Sequence, residues 1–454
     1  MNNIVMTKNS IKYTVNQIFK IANPNSSLKF IICFDEGKNE ITINFNESDK
    51  KIIFKLSYAE DWYDLTGKNI NEIKFINDPK NKYKIPVLFW RNKGLPFIER
   101  ISDNEIIFDG DIISSSFFML SRWEEKVIKE RDVHGRFIYE NSAAYKYNFI
   151  DMPIVDEYAM VLRSYLQILF ADLDLGKNKF HIKLSHDIDD IRRFNNIKNT
   201  FRTLGGDILK GKSVSLFRRS LKEWGKSYKN IEKDPYFLGI YELAKISKQY
   251  NMDSAFYFKT SAKSSYDTGY IINDSVKRCI YNLQDQGFEI GFHAGYYTFQ
   301  NYERLKEEKE ILDEVLCFKY YGGRQHYLRF DVDTTLKYWE RVGFKYDSTL
   351  SYAEHEGFRC GTCHPFKPFD IDEDRELNLI EIPLIAMDGT LKVYRKLTPD
   401  EGLKSIIYLM NKCKEAEGVF TLLWHNTSIY RGWENWMDEV YIKSLNYNQE
   451  LFII

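Results

Sequence analysis

The segment KLSHDIDD, residues 183–190, places one imidazole and three carboxylates where an apolar strand should end. The residues just before it alternate between apolar and polar, which is the pattern of a half-buried strand. Asp187 and Asp189 are two residues apart, so in an extended backbone their carboxylates point to the same side. Two carboxylates with a shared orientation favour a common chemical task over an ordinary solvated turn.

Ionisable or metal-capable residues also follow five other apolar segments in the C-terminal part of the chain. The carboxyl ends of parallel strands meet on one face of a sheet or barrel, so we expect these residues to converge there. They are His293, Arg324 with His326, Asp347, Asp388, and His425 with Asn426. One such residue would carry little weight, but six strand ends together indicate a site.

The residue types favour metal-assisted hydrolysis. A divalent metal held by a carboxylate and imidazoles lowers the pKa of a bound water to about 7 and polarises a carbonyl group. A second carboxylate can then take a proton from the water, and a separate histidine can give a proton to a leaving amine. The sequence has no Gly-rich phosphate loop and no Gly-x-Ser-x-Gly nucleophile motif. Their absence argues against a phosphate-binding loop and against catalysis by a serine nucleophile.

The elements that must position these residues alternate between strand and helix from Phe180 onward, which predicts a parallel sheet, doubly wound or closed into a barrel. The predicted strands are 180–185, 253–258, 288–292, 318–322, 344–347, 379–386 and 419–424. The predicted helices are 234–250, 273–286, 301–316, 333–342 and 399–416, the last beginning with a capping box at Thr398. The basic and polar stretch 192–233 interrupts the first unit as an excursion or lid.

Residues 1–175 are predicted to form a separate mixed α/β domain of unknown role, followed by the strand–helix domain over 176–454. The N-terminal strands are expected at 30–34, 41–45, 51–58 and 87–90, with helices at 114–130 and 152–170. Ser114 or Ser115 is the expected N-cap of the first of these helices. The segment RDVHGRF, 131–137, is polar enough to bring His134 or Arg136 to the site, although a surface loop with a glycine turn is the simpler interpretation.

Composition limits the possible partners and surroundings. The chain has 454 residues, with 64 basic and 65 acidic ones, so it has no basic field for nucleic acid. We find no apolar run of the ~20 residues a membrane helix needs and no signal-peptide pattern, and we therefore expect a cytoplasmic location. The six cysteines do not suggest a disulfide framework in a chain of this length. The oligomeric state is left open.

The order and spacing of these elements resemble the polysaccharide deacetylase family over about residues 180–430. The likeness is closest to an uncharacterised branch with strings such as KLSHDIDD, EIGFHAGYY, GGRQHYLRF, EIPLIAMDGTL and FTLLWHN, and with an extra N-terminal domain containing SSSFFMLSRWEE and MPIVDEY. The resemblance implies a distorted (β/α)7 barrel and a divalent metal, commonly zinc. It also implies removal of N-acetyl groups from a small-molecule or oligosaccharide amino sugar. The resemblance makes Asp187 the general base of that reaction and His425 its general acid. It makes Asp189 and His293 metal ligands, and Arg324 the residue that orients the base.

One position departs from that family's pattern. The second histidine of its His-x-x-x-His metal motif falls at 297, where this chain has Tyr297, and a phenol is a poor zinc ligand at neutral pH. His326 is the expected replacement, with His186 or water as alternatives. If none of them serves, the chain is a sugar-binding or assembly protein on a deacetylase scaffold. A third hypothesis is metal-dependent hydrolysis of another amide or of an ester.

The motif Cys360-Gly-Thr-Cys363-His364 matches the pattern for covalent haem attachment. Without an export signal we interpret EGFRCGTCHPF instead as a loop over the barrel mouth, with Arg359 reaching an anionic group or a substrate carbonyl. A zinc knuckle would need four ligands, and only His355 and His364 are near the two cysteines in sequence. A redox role for the cysteine pair has no support beyond its spacing.

Overall fold

The computed structural model describes residues 6–67, 73–90, 94–194, 200, 204–205, 214–430 and 432–447. Much of the predicted excursion at 192–233 lies outside the described residues. Two sheets, each flanked by helices, make up the described part of the chain.

The N-terminal part contains a mixed five-stranded sheet and a two-stranded ribbon. The strand order in the sheet is β1-β2-β3-β7-β6, in which β3 and β7 are parallel and the other pairs are antiparallel; β4 and β5 form the ribbon. In β2 and β3 every second side chain is fully buried, as the alternating sequence requires. The strands are β1 Phe30–Asp35, β2 Glu40–Phe45, β3 Lys51–Lys55, β4 Lys74–Asn77, β5 Lys84–Val87, β6 Ile98–Ser102 and β7 Glu105–Phe108.

Six helices accompany this sheet in the described residues. They are α1 Lys8–Ala22, α2 Ala59–Thr66, α3 Ile112–Leu120, α4 Trp123–Val127, α5 Ala143–Lys146 and α6 Ile154–Leu169. The single helix predicted over 114–130 is wrong, because Arg122 adopts a left-handed backbone (φ 55°) that ends α3 and starts α4. The predicted N-cap is wrong as well: Asp111 caps α3 by accepting a hydrogen bond from the Ser114 N–H (2.8 Å).

The second sheet has eight strands, and all of its neighbouring strands are parallel. Its order is β15-β12-β11-β10-β9-β8-β17-β16, and β13 and β14 form a separate antiparallel pair. The strands are β8 His181–Ile188, β9 Asp253–Lys259, β10 Glu289–Ala294, β11 Gly323–Gln325, β12 Tyr346–Asp347, β13 Phe369–Asp370, β14 Arg375–Glu376, β15 Ile380–Glu381, β16 Ala386–Met387 and β17 Val419–Leu423. The α/β class and the parallel sheet predicted from the sequence are confirmed.

Helices follow most of these strands. They are α7 Val214–Lys229, α8 Pro235–Gln249, α9 Asp274–Asp285, α10 Tyr302–Leu316, α11 Thr335–Val342, α12 Pro399–Glu415 and α13 Glu434–Trp436. The capping box predicted at the start of α12 is present, since Thr398 and Glu401 bond to each other's backbone N–H.

The two edge strands, β15 and β16, belong to one extended segment of the chain. Four residues, 382–385, separate them, so their near ends lie at most about 18 Å apart. In a flat sheet of eight strands the two edges would be about 34 Å apart. The sheet must therefore curl until both of its edges meet this one segment, as in a distorted barrel. The single strand predicted at 379–386 is in fact two strands, β15 and β16.

One predicted strand is displaced along the chain. The sequence indicated 318–322, but the strand is β11, at 323–325. Its glycines allow close approach of the neighbouring strand, since a Cβ at Gly323 would lie 1.9 Å from the carbonyl oxygen of Phe292. The shift places Arg324 within the strand instead of after it.

A buried ionic network joins the N-terminal helices to the barrel. Arg359 donates two hydrogen bonds to the Glu125 carboxylate (2.9 and 2.7 Å), and Arg122 bonds to both Glu125 and Glu124. Burial opposes the charge on Glu125, but the two guanidinium groups prevail and lower its pKa to about 2. The prediction that Arg359 reaches a substrate is therefore wrong, because this side chain is committed to Glu125.

We expect Arg359→Met to lower the free energy of unfolding by about 3–5 kcal/mol, because it leaves Glu125 buried with half of its partners. Arg375→Met is the matched control, since the Arg375 side chain is 43% exposed and its ion pairs are worth less than about 1 kcal/mol. Urea denaturation followed by circular dichroism measures both. Equal small losses for the two variants would contradict a structural role for the network.

Candidate metal centre

Three potential metal ligands meet at the carboxyl ends of β8, β10 and β11. Asp189 follows β8, His293 lies in β10 and His326 follows β11; one ligand atom from each lies within 4.8 Å of the others. The Nε2 atoms of His293 and His326 are 3.1 and 3.2 Å from Asp189 Oδ1. We call these three residues the metal cluster.

The hydrogen bonds around the metal cluster suit a cation. His293 Nδ1 donates to the carbonyl oxygen of Arg324 (3.0 Å), and His326 Nδ1 donates to the Asp267 carboxylate (2.8 Å). Each ring turns its Nε2 toward the same Asp189 oxygen. Imidazole nitrogens and a carboxylate oxygen are atoms that bind zinc, and outer partners of this kind are typical of histidine metal ligands.

Asp267 and Lys259 belong to this site, and the sequence analysis missed both. Lys259 ends β9, and its Nζ lies 3.9 Å from Asp189 and 3.5 Å from Asp267. The signal for Lys259 was present, because it directly follows the apolar strand AFYF. Asp267 lies in a loop with no distinctive pattern, and only the folded chain brings it to His326.

Asp267→Asn should weaken zinc binding about 10- to 100-fold, because the amide orients His326 less firmly than the carboxylate does. Isothermal titration of the purified protein with zinc measures the change. Asp274→Asn, at the exposed start of α9, is a control that should leave the affinity unchanged. An unaltered affinity in Asp267→Asn would mean that the carboxylate has no part in holding the ligand.

Asp187 and Arg324 form a buried pair beside the metal cluster. Arg324 Nη1 donates to Asp187 Oδ1 (2.8 Å), and Asp187 Oδ2 lies 3.7 Å from His293 Nδ1. Arg324 itself is fixed by hydrogen bonds to Ser348 and Ser185. The arginine thus holds one oxygen of the carboxylate.

His425 and Asp388 form a second pair beside the metal cluster. His425 Nδ1 is 2.6 Å from Asp388 Oδ1, and its Nε2 is 3.6 Å from Asp189 Oδ2. Burial lowers the pKa of His425, but the carboxylates of Asp388 and Asp189 outweigh burial and raise it to about 10. The imidazole is therefore a proton donor aimed at the cluster.

The alternatives weighed for the third ligand can now be located. His186 is buried, and its Nδ1 donates to the Trp424 carbonyl oxygen (2.7 Å). Burial lowers its pKa to about 4, and its ring nitrogens are not among the atoms that meet in the metal cluster. Tyr297 is 39% exposed, with the Arg304 guanidinium over its ring. His326 lies beside His293, with the two ring centroids 4.9 Å apart.

Two other strand-end residues serve the scaffold. Asp347 accepts hydrogen bonds from Thr349, and burial raises its pKa to about 6. Asn426 donates to the carbonyl oxygens of Asp190 and Tyr236. Neither residue contacts the metal cluster. The residues at the strand ends therefore do not all belong to the candidate metal centre.

The segment EGFRCGTCHPF does not cover the barrel mouth. Cys363 and His364 lie against Gly418, at the amino end of β17, which is the end opposite the metal cluster. Cys363 Sγ donates to Asp156 Oδ2 (3.2 Å) and His364 Nε2 donates to the Ala416 carbonyl oxygen (2.8 Å). Asp156, Cys363 and His364 also have ligand atoms close enough for a metal ion, but existing hydrogen bonds use them.

Comparison with known proteins adds little to this geometry. Residues 4–171 match a family of unknown function (DUF7033). A search of curated proteins found no match. Among solved structures, a provisionally named polysaccharide deacetylase from Mycobacterium smegmatis is similar, with 15% identity and a TM-score of 0.39, over 60% of this chain and 85% of that chain. That likeness is too weak to transfer a function.

No helix in the described ranges is both long and apolar enough to cross a membrane.

Proposed function

We propose that this protein is a metal-dependent hydrolase that removes an N-acetyl group from an amino sugar or a polysaccharide precursor. The observation that carries the proposal is the metal cluster, flanked by the Asp187–Arg324 and His425–Asp388 pairs. The division into an N-terminal domain, 1–175, and a deacetylase-like barrel, 176–454, is part of the same proposal.

Asp189, His293 and His326 would hold the divalent cation, and zinc suits two imidazoles and one carboxylate. When bound, such a cation would activate a water molecule and polarise the amide carbonyl group. His326 supplies the imidazole that the family's motif takes from position 297.

Asp187 is the general base in this proposal. Arg324 holds Oδ1, which leaves Oδ2 to take a proton from the attacking water. The buried arginine keeps the carboxylate in one orientation. His293 lies beside the same carboxylate, so the base adjoins the metal cluster.

His425 is the general acid. Asp388 accepts hydrogen bonds from both the backbone N–H and the ring Nδ1 of His425, which fixes the ring. The Nε2 atom then faces the metal cluster and can protonate the amine as the C–N bond breaks.

Acetate release is the test of this activity. Zinc-loaded protein should release acetate from N-acetylated amino sugars, lose that activity with a chelator and regain it with added zinc. Release of product only from esters or other amides in the same panel would favour the broader hydrolase hypothesis. Sugar binding that is independent of metal, without turnover of any substrate, would favour the inactive scaffold.

A further inference from the structure

A tight turn from the N-terminal part of the chain lies at the mouth of the candidate metal centre. In residues 132–136, the Asp132 carboxylate accepts hydrogen bonds from the backbone N–H groups of His134 and Arg136 (2.8 Å each). Gly135 has a φ of +76°, which favours glycine, and a Cβ there would lie 3.3 Å from Phe299. The turn is therefore held in one shape by its own sequence.

The barrel holds this turn in place. Arg329 Nε donates to the His134 carbonyl oxygen (2.6 Å), and its Nη1 donates to the Tyr296 carbonyl oxygen (2.7 Å). The same guanidinium lies 4.0 Å from the ring centres of Tyr296 and Phe299. Position and orientation of His134 are thus set by contacts on both sides of the mouth.

Four rings come together there: His134, Tyr266, Tyr296 and Tyr327. We call them the aromatic wall. Tyr266 stacks on Tyr296 with centroids 4.0 Å apart, and the His134 ring lies 4.8–5.9 Å from the other three. His134 Nδ1 bonds to the Tyr296 hydroxyl (3.1 Å), while its Nε2 has no hydrogen-bond partner within the described part of the chain.

The aromatic wall is continuous with the metal cluster. Asp267 accepts from the Tyr296 backbone N–H (3.0 Å) through one oxygen and from His326 through the other. The Tyr327 ring lies 4.7 Å from the His326 ring. Tyr327 has a φ of 61°, a costly conformation for a large residue, which is commonly kept at binding sites.

The two arginines beside the aromatic wall are held by protein groups, since Arg329 donates to the backbone carbonyl oxygens of His134 and Tyr296. Arg136 bonds to both Asp132 and Glu354. Burial and the Arg136 guanidinium lower the pKa of His134, which makes its imidazole neutral at pH 7. Tyr266 is 40% exposed, so part of its ring is open to a ligand.

We propose that the aromatic wall binds a second sugar residue of an oligosaccharide and that His134 sets this preference for substrate length. The inference rests on the proposed function. Aromatic rings offer flat apolar faces to the C–H groups of a sugar, while phenols and the imidazole bond to its hydroxyl groups. The N-terminal part of the chain thereby contributes to a site whose other groups come from the barrel.

The test compares His134→Ala with Val133→Ala, a control in the same turn whose side chain is 90% exposed. The substrates are N-acetylglucosamine and its linear tetrasaccharide. His134→Ala should lower kcat/KM for the tetrasaccharide about tenfold, mainly through KM, since one hydrogen bond and one ring contact are lost. The monosaccharide should be hydrolysed as before, and Val133→Ala should match the wild type with both.

Binding measurements separate failure of the subsite from failure of the activity. In an Asp187→Asn background, calorimetry should show the tetrasaccharide binding about tenfold more weakly once His134 is removed, even if no sugar is ever deacetylated. The inference is overturned if the tetrasaccharide does not bind, if His134→Ala changes nothing, or if both substrates suffer equally. Loss of zinc from His134→Ala would also overturn it, by showing that the turn only supports the fold.

Discussion

Replacing Asp187 by Asn is expected to lower kcat by about 10²- to 10⁴-fold while the protein keeps its metal. The amide has the shape of the carboxylate and still accepts a hydrogen bond from Arg324, but it cannot take a proton from water. The loss should appear in kcat, because the side chain acts in the reaction and does not bind the substrate as such. Acetate release at saturating substrate measures it, with zinc content determined on the same samples.

Asp190→Asn is the matched control for that experiment. Asp190 lies three residues along the same strand end, and its carboxylate accepts from the Arg192 backbone N–H (3.0 Å) outside the metal cluster. Its variant should retain activity within a few-fold. Full activity in Asp187→Asn would remove Asp187 as the base, and loss of zinc from it would mean that the residue acts on the metal instead.

Replacing His326 by Ala is expected to weaken zinc binding by more than about 100-fold. The substitution removes one of two imidazoles, so its effect should exceed the 10- to 100-fold typical of a lost outer partner. Competition with a chromophoric zinc chelator gives the dissociation constant. Circular dichroism should be unchanged, since the ring lies at the mouth of the barrel and not in its core.

Tyr297→Phe tests whether Tyr297 or His326 is the third metal ligand. Its hydroxyl group is lost but the ring and its contact with Arg304 remain. Zinc affinity should stay within about twofold of the wild type. The reverse result, with Tyr297→Phe weakened and His326→Ala intact, would assign the third ligand to position 297 and reject His326.

Sequence patterns were enough to predict most of the barrel elements. The helices from α8 to α12 begin and end within two residues of their expected positions, because N-caps, apolar spacing and glycines mark their ends. The strand at β11 was misplaced, since its boundary depends on two backbones approaching across Gly323. That contact is made between distant parts of the chain and has no local pattern.

The sequence predicted the candidate site residues that lie at strand ends and missed a residue that lies in a loop. Asp187, Asp189 and His293 follow from the rule that parallel strands end on one face. Asp267 could not be found in this way, because a loop with no periodicity carries it to His326. Arg359 was misassigned because its partner, Glu125, lies 234 residues away in the chain.

The measurement that tests the central claim most directly is the position of zinc in crystals of the zinc-loaded protein, located by anomalous scattering. The account predicts one strong peak within bonding distance of Asp189 and of the Nε2 atoms of His293 and His326. A peak at Asp156, Cys363 and His364 instead, or none at all under conditions where the protein is saturated with zinc, would contradict it.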